Sequence, residues 1–134
     1  MTFERRTSVR EIYEAKNLYR VNTFIENKNP AITKENILLI HKFLIDNIDD
    51  NIAGRFREIG EGVKVGGYYA PEAAKVESLM DELLSRKIET LRDVSMFHID
   101  FERVHPFNDG NGRIGRVLIN WQLKKIKLPT ITIR

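Results

Sequence analysis

The chain has 134 residues, 42% of them hydrophobic and 31% charged, which suits one globular domain with room for a real core. Its net charge of +3 and sequence pI near 9.2 suit an anionic ligand without calling for nucleic acid. Cysteine is absent, which excludes disulfides and thiolate metal sites and fits a reducing cytoplasmic setting; no apolar run nears the roughly 20 residues of a membrane span, and "MTFERRTSVREIYEAK" lacks a signal peptide's apolar core.

Five helices are predicted in chain order. Residues 8–27 carry Ile12, Ala15, Leu18, Tyr19 and Val21 or Asn22 as an apolar stripe, and Pro30 ends the helix. Thr33 reads as the N-cap of "KENILLIHKFLIDNI", with Ile37, Ile40, His41, Leu44 and Ile48 on one face. Residues 71–87 open with Pro71 in the first turn and repeat Val76, Leu79, Met80, Leu83 and Leu84. Residues 90–104 set Leu91, Val94, His98, Phe101 and then His105 on one face, and Pro106 stops them. Residues 111–126 bury Ile114, Val117, Leu118, Trp121 and Leu123. His98 reads as a buried structural residue, since roughly 10 Å of axial rise separates it from His105, too far for a joint metal site; His41, on an apolar helix face, reads the same way.

All eight glycines fall in two windows, 54–67 and 110–115, so two segments need unusual backbone. In the first window Phe56, Glu58, Val63 and Val65 alternate about "GEG", which predicts a short β-hairpin near residues 56–65; an irregular loop is the alternative. The fold class is therefore all-α, a helical bundle with one short β-hairpin flap. An unpaired hairpin edge can take an extended segment of another protein by strand addition, which makes Phe56, Val63, Lys64 and Val65 a candidate docking edge.

The second window, "HPFNDGNGR", places a polar, flexible loop between two helices. A helix N-terminus offers free N–H groups and a positive dipole end, so the lead-in "NDGNG" frees the backbone to approach a phosphate. Arg113 and Arg116 add two guanidiniums within the first two turns, as a polyphosphate needs. Asp109 is a hard oxygen donor suited to Mg²⁺ bridging phosphates, and His105 is a candidate general base. Each residue also has a plain reading: a structural histidine, a Gly-Asn-Gly turn, a solvated pair of arginines, an aspartate cap. Spacing alone establishes an anion site with a candidate base.

The twelve residues "HPFNDGNGRIGR", 105–116, resemble the full signature of Fic-domain (filamentation induced by cAMP) proteins, His-x-Phe-x-Asp/Glu-Gly-Asn-Gly-Arg-x-x-Arg, at every signature position. "FHIDFERVHPF", "AGRFRE…VKVGGYYAP", "REIYEAKNLYRVNTFI" and "LPTITI" resemble the family's approach to the motif, its flap, its leading core helix and its exit. The resemblance covers about residues 9–133 and implies a single Fic domain over 1–134.

The resemblance implies a protein adenylyltransferase that moves AMP from ATP to a Ser, Thr or Tyr hydroxyl of a target protein. It implies that His105 accepts the hydroxyl proton, and that Asn111 with the backbone of Gly110 and Gly112 holds the α-phosphate. By the same resemblance Asp109 binds Mg²⁺, Arg113 holds the β- and γ-phosphates, Arg116 helps place the γ-phosphate, and Phe107 faces the core. Transfer of UMP, phosphocholine or phosphate is the enzymatic alternative, although the phosphate-transferring branch usually has Lys where Gly112 stands. A non-catalytic nucleotide- or phosphate-binding module is the other; no Walker A sequence, aromatic platform or basic stripe favours it.

Many Fic proteins also carry an inhibitory helix, Ser/Thr-x-x-x-Glu-Gly/Asn, whose Glu pairs with the last signature Arg. Thr7 to Glu11 is followed by Ile12, and Ser85 to Glu89 by Thr90, so neither matches. The expectation is an inhibitor supplied as a separate small protein (an antitoxin) or by a segment outside a trimmed chain.

Overall fold

The computed structural model describes residues 8–58, 64, 65 and 68–131. Its helices are α1 (Val9–Lys28), α2 (Lys34–Ile45), α3 (Ala73–Leu84), α4 (Leu91–Val104) and α5 (Asn111–Lys125), with two strands, β1 (Lys64–Val65) and β2 (Tyr68–Tyr69), between α2 and α3. The boundaries follow from local chemistry. Ser8, Thr33 and Thr90 each accept a hydrogen bond from the backbone N–H three residues on, and Thr90 with Asp93 completes a reciprocal capping box. Asn29 ends α1 in the left-handed conformation, its N–H bonded to the Ile25 carbonyl just ahead of Pro30. Pro71 lies before α3 and not in its first turn: Glu72 is the N-cap, and the Pro71 carbonyl accepts from Arg57.

Phe97, Phe101, Val104, Ile114, Leu118 and Trp121, from α4 and α5, form the centre of one core that Val21, Ile37, Leu44 and Met80 complete. The predicted faces of α3 and α5 match this core, as does that of α2 up to Leu44; α2 ends at Ile45, which leaves Ile48 in a turn and only partly buried. Two helices differ. In α1 the buried residues are Asn17, Val21 and Ile25, while Ile12, Leu18 and Tyr19 are exposed. Asn17 sets that rotation: its amide donates to the Leu44 and Asp46 carbonyls at 3.0 and 2.8 Å, satisfying the end of α2. In α4 Leu91 is exposed, and Phe97 and Val104 take the buried face with Val94 and Phe101.

The hairpin lies later in the chain than the alternation about "GEG" predicts. Lys64 pairs with Tyr69 and Val65 with Tyr68, antiparallel, so the two residues between the strands are Gly66 and Gly67. Phe56 stands outside both strands, partly buried against the core, with its ring 5.5 Å from that of Phe107. Val63 lies outside the described residues.

Candidate active site

Residues 105–110 join α4 to α5, and three contacts fix their path. His105 ends α4 in the left-handed region, at φ 49°, with its N–H bonded to the Phe101 carbonyl. Phe107 is fully buried, and the Asn111 carboxamide closes on its backbone twice: Oδ1 accepts from the Phe107 N–H at 2.9 Å and Nδ2 donates to its carbonyl at 2.8 Å. Phe107 also stacks on His41, with ring centroids 3.9 Å apart and planes 6° from parallel.

His41 is a buckle reaching in from α2. Its Nδ1 accepts from the Gly54 N–H at 3.0 Å, so Nε2 carries the proton and donates to the Asp109 carbonyl at 2.9 Å. Burial holds this imidazole neutral, its pKa lowered to about 4. His41 is thus structural, as expected, and its partner is the site loop itself. His98 departs from expectation: it is half-buried, its Nδ1 has no hydrogen-bond partner among the described residues, and its Nε2 stands 4.0 Å from Glu102.

Gly110 caps α5 at φ 87°, a conformation costly for any residue with a Cβ. The first α5 hydrogen bond runs from the Ile114 N–H to the Gly110 carbonyl, so the N–H groups of Asn111, Gly112 and Arg113 precede the helical ladder. They open onto a cleft of about 260 Å³ lined by residues of the loop and first turns, including His105, Asp109, Gly112, Arg113 and Arg116. Arg116 is exposed and folds back over Gly112, where a Cβ would stand 3.3 Å from its Nη1.

Helix α1 supplies a charge complement that the motif did not indicate. Arg10 Nη2 meets Asp109 Oδ2 at 2.6 Å, and Glu14 Oε2 meets Arg113 Nη1 at 3.2 Å. Arg113 Nη2 lies 3.6 Å from Asp109 Oδ1 and Arg10 Nε 3.7 Å from Glu14, closing a ring of four alternating charges. Burial opposes ionisation of Asp109, but Arg10, the Gly110 N–H and Arg113 outweigh it and hold the carboxyl below its ordinary range. Burial, and then the charge of Arg57, holds His105 below its ordinary range, so its imidazole is neutral near pH 7.

A divalent cation fits this donor set in one way. Among the described residues no three acidic or imidazole side chains converge, so no protein cage for a metal is built. Asp109 is a partly exposed carboxylate on the loop that leads into α5, and Mg²⁺ is commonly held by one or two carboxylates together with substrate phosphates. Its competitor is Arg10, an exposed side chain in a surface ion pair, a kind of contact that contributes little and is screened by salt.

Other proteins share this fold. A Fic family protein from Desulfovibrio desulfuricans G20 superposes on 90% of the chain with a TM-score of 0.77 and 31% identity, over 39% of its own length. A Fic-1 fragment from C. elegans covers 99% of the chain with a TM-score of 0.78 and 25% identity, over 42% of its own length. The class is thus a helical Fic fold whose signature loop opens α5. The Fic/DOC family model matches residues 31–123, and the chain belongs to that family. Proteins named "Protein adenylyltransferase Fic" from Aedes aegypti and Nematostella vectensis are each 32% identical over 121 residues, 85% of the chain. The chain spans about a quarter of the length of these relatives, 24% and 28%. Among the described residues no helix is long and apolar enough to cross a membrane.

Proposed function

We propose that the chain is a protein adenylyltransferase, transferring AMP from ATP to a hydroxyl side chain of a target protein. The observation that carries this reading is one cleft shared by a neutral His105, the free N–H groups opening α5, and the guanidiniums of Arg113 and Arg116. The names of the relatives support it.

In this reading the target hydroxyl gives its proton to His105 as its oxygen attacks the α-phosphorus; the bond from that phosphorus to the bridging oxygen breaks and pyrophosphate leaves. Backbone N–H groups of Asn111 and Gly112 hold the α-phosphate oxygens. The Asn111 carboxamide serves the loop instead, since both its ends are committed to Phe107. The Gly110 N–H already bonds Asp109 Oδ1 at 2.8 Å, so Gly110 contributes its left-handed turn. Arg113 takes the β- and γ-phosphates in place of Glu14, and Arg116 the γ-phosphate. Asp109 would hold Mg²⁺, which, when bound, neutralises phosphate charge. The hairpin offers its edge to an extended segment of the target, and an acidic inhibitory helix from a separate protein would compete at Arg116.

The test is incubation with α-labelled ATP, CTP, GTP and UTP plus Mg²⁺ and a protein mixture, for the parent chain and His105→Ala. The expected result is covalent label from ATP in the parent and none in the variant. Label from UTP alone would redirect the reading to UMP transfer; label unaffected by His105→Ala would remove the base.

A further inference from the structure

Arg57 belongs to no part of the Fic signature, yet it is 2% exposed. A buried guanidinium is costly unless its donors are used. Here Nε donates to the His105 carbonyl at 2.7 Å, and Nη2 donates to the Val104 carbonyl at 3.0 Å and the Pro71 carbonyl at 2.6 Å. The Arg57 backbone N–H adds a bond to the Pro106 carbonyl at 2.9 Å. No acidic partner neutralises it among the described residues, and Nη1 finds no acceptor there.

These bonds converge on one junction. Arg57 precedes β1 and Pro71 follows β2, so the entry and exit of the hairpin are tied to the backbone of residues 104–106. Carbonyls at the end of α4 have no intrahelical partner, and the fork of Arg57 satisfies two of them. The same contact pins His105 in its left-handed turn and sets the positive charge of Arg57 near its ring.

We propose that Arg57 is the positioning residue of the transfer reaction: it clamps the base of the hairpin to the backbone of His105, so that a target segment docked on the strands meets the imidazole at a set distance. The proposal rests on the reading of His105 as base and of the hairpin as docking edge. The charge of Arg57 adds a second effect, because it opposes protonation of the ring and keeps a free base available. The other charges facing the same cleft are Asp109, which favours the imidazolium, and Arg113 and Arg116, which disfavour it; His98 and Glu102 lie on its own helix.

The test uses the whole chain labelled with ¹⁵N-histidine, a fluorescent ATP analogue with Mg²⁺, and α-labelled ATP. In Arg57→Gln, binding of the analogue should stay within about twofold of the parent, because no nucleotide-facing group is touched. The rate of protein labelling should fall on the order of 10²-fold, the penalty of a misplaced reacting group. The His105 titration midpoint should rise. Arg57→Lys restores charge without the fork, so it should bring the midpoint back and leave the rate low, a split that loss of stability alone does not produce.

An Arg57→Gln chain that melts, labels and titrates like the parent overturns the proposal. If neither variant folds, the parent with ¹⁵N-arginine decides: an Arg57 guanidinium whose N–H protons exchange as fast as those of exposed arginines overturns the clamp, and slowed exchange supports it. Unchanged labelling by His105→Ala would sink the base reading instead, while the dependence of the His105 midpoint on Arg57 would still be measured.

Discussion

At the scale of single residues, the proposed roles divide one cleft between binding and chemistry. His105 lines it together with Gly112, Arg113 and Arg116, but in the proposed reading its partner is the target hydroxyl and not the phosphates. His105→Ala should therefore bind an ATP analogue like the parent and lose about 10²–10⁴-fold in labelling, as removal of a general base costs. Weakened nucleotide binding of similar size, seen by fluorescence titration, would assign His105 to the phosphates instead. Gly115 illustrates a different constraint: in its ordinary helical turn, a Cβ would overlap Glu102 Oε1 and stand 3.2 Å from the His98 ring. Gly115→Ala should thus fail to give the roughly 1 kcal/mol that Ala gains over Gly in a helix, and should give it in a Glu102→Ala background. Equal effects in both backgrounds, in urea melts, would refute the coupling. The signature residues were legible because their types and spacing are local. The commitment of Asn111 to Phe107 was not, since an amide four residues from its partner reads equally well as a ligand or a loop clamp.

At the scale of elements, period located all five helices, and Thr33 caps α2 as predicted, while the capping role of Thr90 was not foreseen. Periodicity failed where a polar residue governs the buried face, as Asn17 does in α1. The ion-pair ring had a visible signature: Arg10 and Glu14 stand four apart, as Asp109 and Arg113 do, in opposite order. One chain offers many such pairs, and only the packing of α1 beside the loop selects these. The hairpin was expected but misplaced, which moves its test. In a hairpin closed at Val65 and Tyr68, alternation points the backbone of Lys64 outward, to the free edge. Lys64→Pro should then reduce target labelling more than nucleotide binding, whereas Lys64→Ala should do little, since strand addition uses backbone. If both substitutions act equally, the edge does not dock targets through its main chain.

At the scale of the whole molecule, the site is held by segments far apart in sequence. Asp109 is reached by Arg10 across 99 residues and by His41 across 68. No local pattern announces such ties, which is why the motif was legible and its supports were not. Accessibility of Arg116 gives one prediction. A groove lined by Leu18, Asn22, Arg113 and Arg116 runs between α1 and α5, so a helix carrying Ser-x-x-x-Glu-Gly supplied in trans should suppress labelling. The carboxylate would pair with the guanidinium that a γ-phosphate needs, and a Glu→Gly helix should not suppress it. Equal labelling with either helix would remove this switch.

The His41 buckle gives the other, because it ties α2, the turn at Gly54 and the signature loop together through one neutral ring. Protonating that ring sets an N–H against the Gly54 N–H, so the folded state binds the proton only near pH 4, while the unfolded chain binds it near 6.5. Between those values the unfolded state holds more protons, and stability must rise with pH. The contribution is complete above pH 6.5 and is lost as pH falls through about 4, where it amounts to roughly 3 kcal/mol at 1.36 kcal/mol per unit. His105, also held low, acts in the same direction. Asp93 and Asp109, held below 3.8, lose their contributions only below that pH, beneath the histidine window. His41→Gln isolates the effect, since a carboxamide can accept from Gly54 and donate to the Asp109 carbonyl without titrating. Urea unfolding at pH 7 and at pH 4.5 should show a clearly smaller loss of stability in the variant than in the parent. Equal losses would mean that the buckle does not carry the acid sensitivity, and that the proton enters the folded molecule elsewhere.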